Sequence, residues 1–317
     1  MPIPTGTAAI SFSQLRDEMH IGLGNPAAYG AFPLNDATVR EKITDTSVGA
    51  QLSLSSLRGN IYRRFTISAD TTNYDIRAAM GAAPIGWNTT SKASADVVVN
   101  GGVVVGTPNT GAYAMDTGAT GWPAPSTITV INSGYIIGHG GNGGNGGATD
   151  GGNGGPALLA RRPMKLQNSG IVGGGGGGGG GAPTTTTTTT SPPPIPPTAP
   201  SYPGTPSPIT STNYFGGGAG GGGRTARTPT AGGTGDSVPG SNDSSPGSPG
   251  TFAGAGAGSG GPGPAGAGGP GGDWGTAGAP GAPGVRAGGA AGISVQGWSQ
   301  VTAPTGSTGI SGPSTAG

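Results

Sequence analysis

The sequence predicts a mainly irregular and β protein in three parts. A small N-terminal domain with short helices (1–87) is followed by a β-helix-like module of short strands (88–172). A polyglycine II helix bundle with long loops (173–317) completes the chain. Three observations carry this reading. The chain holds 73 Gly and 31 Pro among 317 residues, well beyond ordinary globular usage. A strand–turn–glycine unit occurs twice in its middle. Its second half alternates glycine runs with loops that carry aromatic residues.

Charge bounds the function classes. Only 9% of residues are charged, the formal net charge is +1, and Cys is absent. A balanced, sparsely charged chain gives no electrostatic case for nucleic acid or an anionic membrane as partner. Without Cys there are no disulfides, thiolate chemistry or thiolate-ligated metals. The N-terminus lacks a basic segment followed by an apolar core, so no secretory signal is expected. No stretch approaches the length and apolarity of a membrane span.

Within 1–87 the residues Ser11 to Gln14 fit a capping box, which predicts a short helix over about 13–20. Asn35 to Ile43 predicts another, capped by Asn35 or Asp36. The stretches Ile10–Glu18 and Leu52–Asn60 look alike, which suggests a small duplication. Apolar residues are too few here for a large core, so this region is expected to dock on partner subunits.

The middle region repeats itself. TVINSGYIIGHGGNGG from Thr129 and KLQNSGIVGGGGGGGG from Lys165 share a strand, an Asn-Ser-Gly turn, a short apolar strand and a glycine run. Two Val triplets flank Asn100, Gly101 and Gly102, a signal for a hairpin or a β-helix corner. Stacked short strands of this kind predict a layered β module, with Pro156–Ala160 supplying another rung.

A glycine run need not be a linker. An extended threefold helix has three residues per turn, about 3.1 Å rise and no internal hydrogen bonds. Its N–H and C=O groups need external partners once buried. Glycine chains supply them sideways, because without Cβ atoms the backbones approach closely. Candidate runs are 138–155, 173–181, 216–223, 253–272, 275–284 and 287–292. Collagen does not fit, since Gly-X-Y spacing holds only briefly, around Gly278, Gly281 and Gly284.

No enzyme signal is present, and no cofactor or metal site is expected. His20 and His139 are the only histidines and lie in different regions. His139 reads as a structural donor at the head of a glycine run. None of Lys42, Lys92 and Lys165 follows a Gly, so there is no P-loop. Asp70, Asp75 and Asp96 lack a calcium-loop pattern.

A small first domain followed by glycine runs and variable loops resembles the tail-fibre tip adhesins of T-even-like bacteriophages, and glycine-rich receptor-binding proteins of other tailed phages. The segments ISFSQLRDEM, LSLSSLRG, and the section from Ile131 to Gly181 carry the likeness, over most of residues 10–182. The resemblance implies a tail- or fibre-attachment role for 1–87, a β neck over 88–172, and a polyglycine II sandwich over 173–317. It also implies loops that bind a host outer-membrane protein or surface glycan. The virion's distal tail is the implied location, after synthesis in the host cytoplasm, as a trimer or as a single copy on a trimeric tail element. A glycine-rich structural tail protein, or a bacterial glycine-rich surface protein, is the alternative reading.

Aromatic loop residues are the expected receptor contacts, because Tyr and Trp bury large area at low entropic cost. Tyr202, Tyr214, Phe215 and Trp274 are the candidates, joined by the rare charges Arg224, Arg227, Asp236 and Asp243. Phe252 and Trp298 read as structural.

Overall fold

The computed structural model describes residues 61–82, 92–123, 126–147, 149–191, 209–215, 217–226, 228–235, 244–261, 265–282, 286–305 and 309–315. The helices expected over 13–20 and 35–43, and the duplicated pair of segments, lie outside these residues. What is described consists mostly of strands and extended chain, with almost no helix.

The strands wind into a triangular tube of parallel sheets. The first face stacks β1 (Ile61–Ile67), β4 (Ala93–Val99), β7 (Thr127–Asn132), β10 (Met164–Asn168) and β15 (Val301–Thr305). On the second face lie β2 (Thr71–Thr72), β5 (Val104–Gly106), β8 (Tyr135–Ile137), β11 (Ile171–Gly173) and β16 (Ile310–Ser311). The third face holds β3 (Tyr74–Asp75), β6 (Met115–Asp116), β9 (Leu158–Leu159), β14 (Val295–Gln296) and β17 (Ser314–Thr315). Each rung contributes one strand to each face, as in a parallel solenoid.

The β-branched runs belong inside this tube. In register, Phe65, Val97, Val130 and Leu166 form one inward column. Val105, Ile136, Val172 and Ile310 form a second. Met115, Leu158 and Val295 form a third. All but Phe65 and Ile310 are fully buried, and each such side chain contributes about 1.5–3 kcal/mol of transfer free energy. A short helix, α1 (Ile76–Ala82), adds Ile76 and Met80 to the same core. Asp75 Oδ1 accepts the Ala78 N–H at 2.9 Å and caps it.

The repeated Asn-Ser-Gly triplet is a corner of the tube. Asn132 and Asn168 are register partners, and Asn132 Nδ2 donates to Asn168 Oδ1 at 2.7 Å and to the Ile171 carbonyl at 3.1 Å. Asn132 Oδ1 accepts the Gly134 N–H at 3.2 Å. A corner frees backbone groups that a straight strand would pair, and a buried Asn satisfies them. The Asn100 turn is likewise a corner rather than a hairpin, since β4 and β5 pair with different faces.

Two boundaries differ from the expected ones. Strands β1–β3 fall within 1–87, and β14–β17 within 173–317, yet both sets pair into the tube. The glycine-rich chain is therefore an insertion. It leaves at the corner between the second and third faces and returns to complete the last two rungs.

Candidate functional site

Ten extended segments emerge from that corner among the described residues: 138–147, 149–155, 174–182, 217–224, 228–235, 244–250, 254–261, 265–272, 276–282 and 286–292. The first and third continue the parallel pair β8–β11 without a break. Their hydrogen bonds change period from two to three as they leave the sheet. Gly138, Gly141, Gly144 and Gly147 donate in turn to the carbonyls of Gly173, Gly176, Gly179 and Ala182. Each segment acts as a strut, and successive struts reverse direction.

The number of glycines per triplet follows the number of neighbours. Strut 174–182 is bonded on all sides, to 138–147, 149–155, 217–224, 265–272, 276–282 and 286–292. Gly175 and Gly178 donate to Gly155 and Gly152, Gly176 and Gly179 to Arg224 and Gly221, and Gly177 and Gly180 to Thr276 and Ala279. No direction is left for a side chain, and 174–181 is glycine throughout, followed by the buried Ala182. Strut 217–224 is the second surrounded one, and it too is glycine apart from Ala219 and its terminal Arg224.

The first two struts carry a side chain at every third position, counted from His139 and from Asp150. In 138–147 these are His139, Asn142 and Asn145. Asn142 Oδ1 accepts the Ala231 N–H at 3.2 Å, and Asn145 Oδ1 that of Thr234 at 2.9 Å. Across the hairpin, Asp150 and Asn153 accept from Ala287 and Ala290 at 3.0 and 2.9 Å. Side-chain oxygens here serve N–H groups that face outward from the lattice. Single-residue reasoning missed this use of Asn and Asp, but their spacing of three within the glycine run is its signal.

Strut direction sorts the turns into two ends. At the outer end, away from the tube, the connections are 147–149, 183–216, 235–244, 261–265 and 282–286. The longest includes a two-stranded ribbon, β12 (Thr185–Ser191) against β13 (Ile209–Phe215), in antiparallel register from Thr185–Phe215 to Ser191–Ile209. Its threonines from Thr186 to Thr190 are exposed, as are Thr210 to Asn213. Tyr214 sits on β13 opposite Thr186, and Phe215, opposite Thr185, is half-buried. Tyr202, Asp236 and Asp243 lie outside the described residues, in segments whose flanks are at this end. Arg227 also lies outside them, and its flanks are at the other end.

Trp274 and Arg224 are corrected by their surroundings. Both were expected in exposed loops, but they meet at the inner end, against the tube. Trp274 is 7% exposed and its Nε1 donates to the Thr225 carbonyl at 3.2 Å. The Arg224 guanidinium stacks 3.7 Å from the Trp274 ring centroid, and it donates to Phe252 O and Asp273 Oδ1. Phe252 and Tyr135 complete the group, with ring centroids 5.2 Å apart edge to face. Tyr135 belongs to β8, so the cluster joins bundle to tube. Trp274→Ala is expected to cost about 3–5 kcal/mol, read as a lowered midpoint in thermal unfolding. An unchanged midpoint would instead make Trp274 a surface residue with no part in this junction.

Among the described residues no group of three or more acidic or His side chains could hold a metal ion. No described helix is long and apolar enough to cross a membrane. What the arrangement offers is a rigid lattice that fixes the bases of five loops side by side.

No curated protein matches. The crystal structure of the gp37–gp38 adhesin tip complex of the bacteriophage S16 long tail fiber contains a chain of similar fold. It is 20% identical, with a TM-score of 0.54, over 96% of this chain and 97% of that one. The family described as phage tail fibre adhesin Gp38 matches residues 63–315, from the first rung of the tube to the last. A match over nearly the whole tube and the whole strut lattice establishes descent as well as shape: the chain belongs to the phage tail fibre adhesin Gp38 family.

Proposed function

We propose that this tail fibre adhesin binds a host surface receptor through its outer-end loops, held in place by struts that are polyglycine II helices. The observation that carries this is the common end of the five connections. Struts of period-three hydrogen bonding bring loops from distant parts of the sequence to one surface. Tyr202, Tyr214, Phe215, Asp236 and Asp243 are the contacts favoured by that placement, in or next to the two longest connections. A host outer-membrane protein or a surface glycan is the receptor class. The role is adhesion, without catalysis.

Residues 1–60 attach the chain to other tail fibre proteins on this reading. A solved chain of similar fold was crystallised as a gp37–gp38 complex, which supports a fibre protein as the partner. The adhesin then sits at the distal end of the tail, as a single copy or as a trimer.

Deleting residues 184–215 tests the receptor assignment. Thr186–Thr190 and Thr210–Asn213 of the ribbon are exposed, so the variant should fold, with an unchanged melting midpoint. Phage carrying it should assemble but lose adsorption to the host. Normal adsorption by assembled particles would remove this loop from the contact.

A further inference from the structure

We propose that a cleft on the flank of the bundle, near its inner end, is a binding site for a neutral saccharide. It lies between the second rung's corner loop and the first pair of struts, and its volume is about 360 Å³. Small-molecule sites span about 300–1,000 Å³. Pro108, Asn109 and Thr110 of the corner loop line it together with His139, Asn142 and Asn153 of the struts. Gly140, Gly141 and Gly152 complete the lining.

The chemistry of the lining selects the ligand. Among the described residues no Asp, Glu, Lys or Arg lines the cleft, so an anionic or cationic ligand would lose hydration without a counter-charge. The polar groups that do line it are fixed in advance. Asn142 and Asn153 each commit Oδ1 to a backbone N–H, of Ala231 and Ala290. That orients both amides and leaves their NH2 groups as donors. His139 Nδ1 lies 2.7 Å from the Gly140 carbonyl. A carbonyl only accepts, so the proton is on Nδ1 and Nε2 is an acceptor in the neutral ring. A sugar hydroxyl is both donor and acceptor, and it suits a lining that mixes preset donors with an acceptor.

The glycine part of the lining suits the rest of a pyranose. Glycine Cα atoms present a surface free of side chains, and the Pro108 ring adds an apolar edge, against which the C–H face of a sugar ring can lie flat. Preorganised amides spare the ordering cost that mobile side chains would add. His139 and Asn142 are about 20 Å from the outer end at about 3.1 Å per residue. The cleft is thus separate from the proposed receptor loops. Binding there does not depend on the receptor assignment, although its use against a surface polysaccharide rests on the adhesin reading.

The test uses the full chain with neutral hexoses and N-acetylhexosamines, following the His139 ring by NMR; a His139→Asn variant identifies its signal against that of His20. At least one neutral sugar should move this signal saturably, with Kd about 1 mM. Asn153→Asp keeps the oxygen that accepts from Ala290 but lacks the amide donors, and should weaken binding about five- to tenfold. The 184–215 deletion should leave Kd unchanged, whatever it does to adsorption. No shift with any neutral sugar, equal binding by Asn153→Asp, or a preference for uronic acids or phosphosugars would each overturn the assignment.

Discussion

Gly177→Ala should dismantle the strut lattice, whereas Gly254→Ala should be neutral or mildly stabilising. A Cβ on Gly177 would collide with the Gly289 carbonyl, whose carbon would lie 2.6 Å away, and would approach Gly278 N at 2.8 Å. All of these are backbone atoms, which have no rotamer to turn aside. The strut would have to shift and break the bonds from Gly177 N to Thr276 O and from Gly272 N to Gly177 O. Overpacking in an adaptable core costs about 1–3 kcal/mol, and a site enclosed by backbone should exceed that range. At Gly254 a Cβ meets nothing within 4 Å and φ is not positive. There the smaller entropy of the unfolded chain should contribute about 0.4–1 kcal/mol of stability. Thermal unfolding with limited proteolysis of both variants reads the contrast. Equal melting midpoints would mean that the glycines are compositional rather than steric.

That contrast also marks what was legible beforehand. The nine-glycine run reads as a strut because no other packing uses so many consecutive residues without Cβ atoms. The Asn-Ser-Gly repeat reads as stacked rungs because an identical corner recurs at fixed spacing. The run 138–155 reads as one segment, whereas it folds back at Gly147, whose φ is +75°; its mark in the sequence is Ala148 and Thr149, which break the glycine triplets there. By contrast, β14, β16 and β17 are two residues long, too short for any periodicity, so the return of the chain to the tube was hidden. Trp274 was misplaced for a different reason. Inner and outer turns have similar compositions, and only the parity of the strut count tells them apart.

The last expectation turns on that threefold geometry. One glycine inserted after Gly141 should be as damaging as Gly177→Ala, but the triplet Asn-Gly-Gly inserted at the same place should be tolerated. A single insertion advances the rest of the strut by a third of a turn. Asn142 then takes the place of Gly143, where a Cβ would collide with the Gly220 carbonyl and lie 2.7 Å from Gly233 N. The side-chain bonds to the Ala231 and Thr234 N–H groups are lost in the same step. A triplet restores the face of every residue, since the inserted Asn occupies the position of Asn142 and Asn142 that of Asn145. One extra turn, about 9 Å long, then emerges at the outer end, where the 147–149 connection absorbs it without disturbing a neighbour. Melting midpoints and host adsorption should therefore fall for the single insertion and hold for the triplet. Two insertions with equal effects would be incompatible with period-three packing, because in a β ladder an odd insertion of either length reverses the faces.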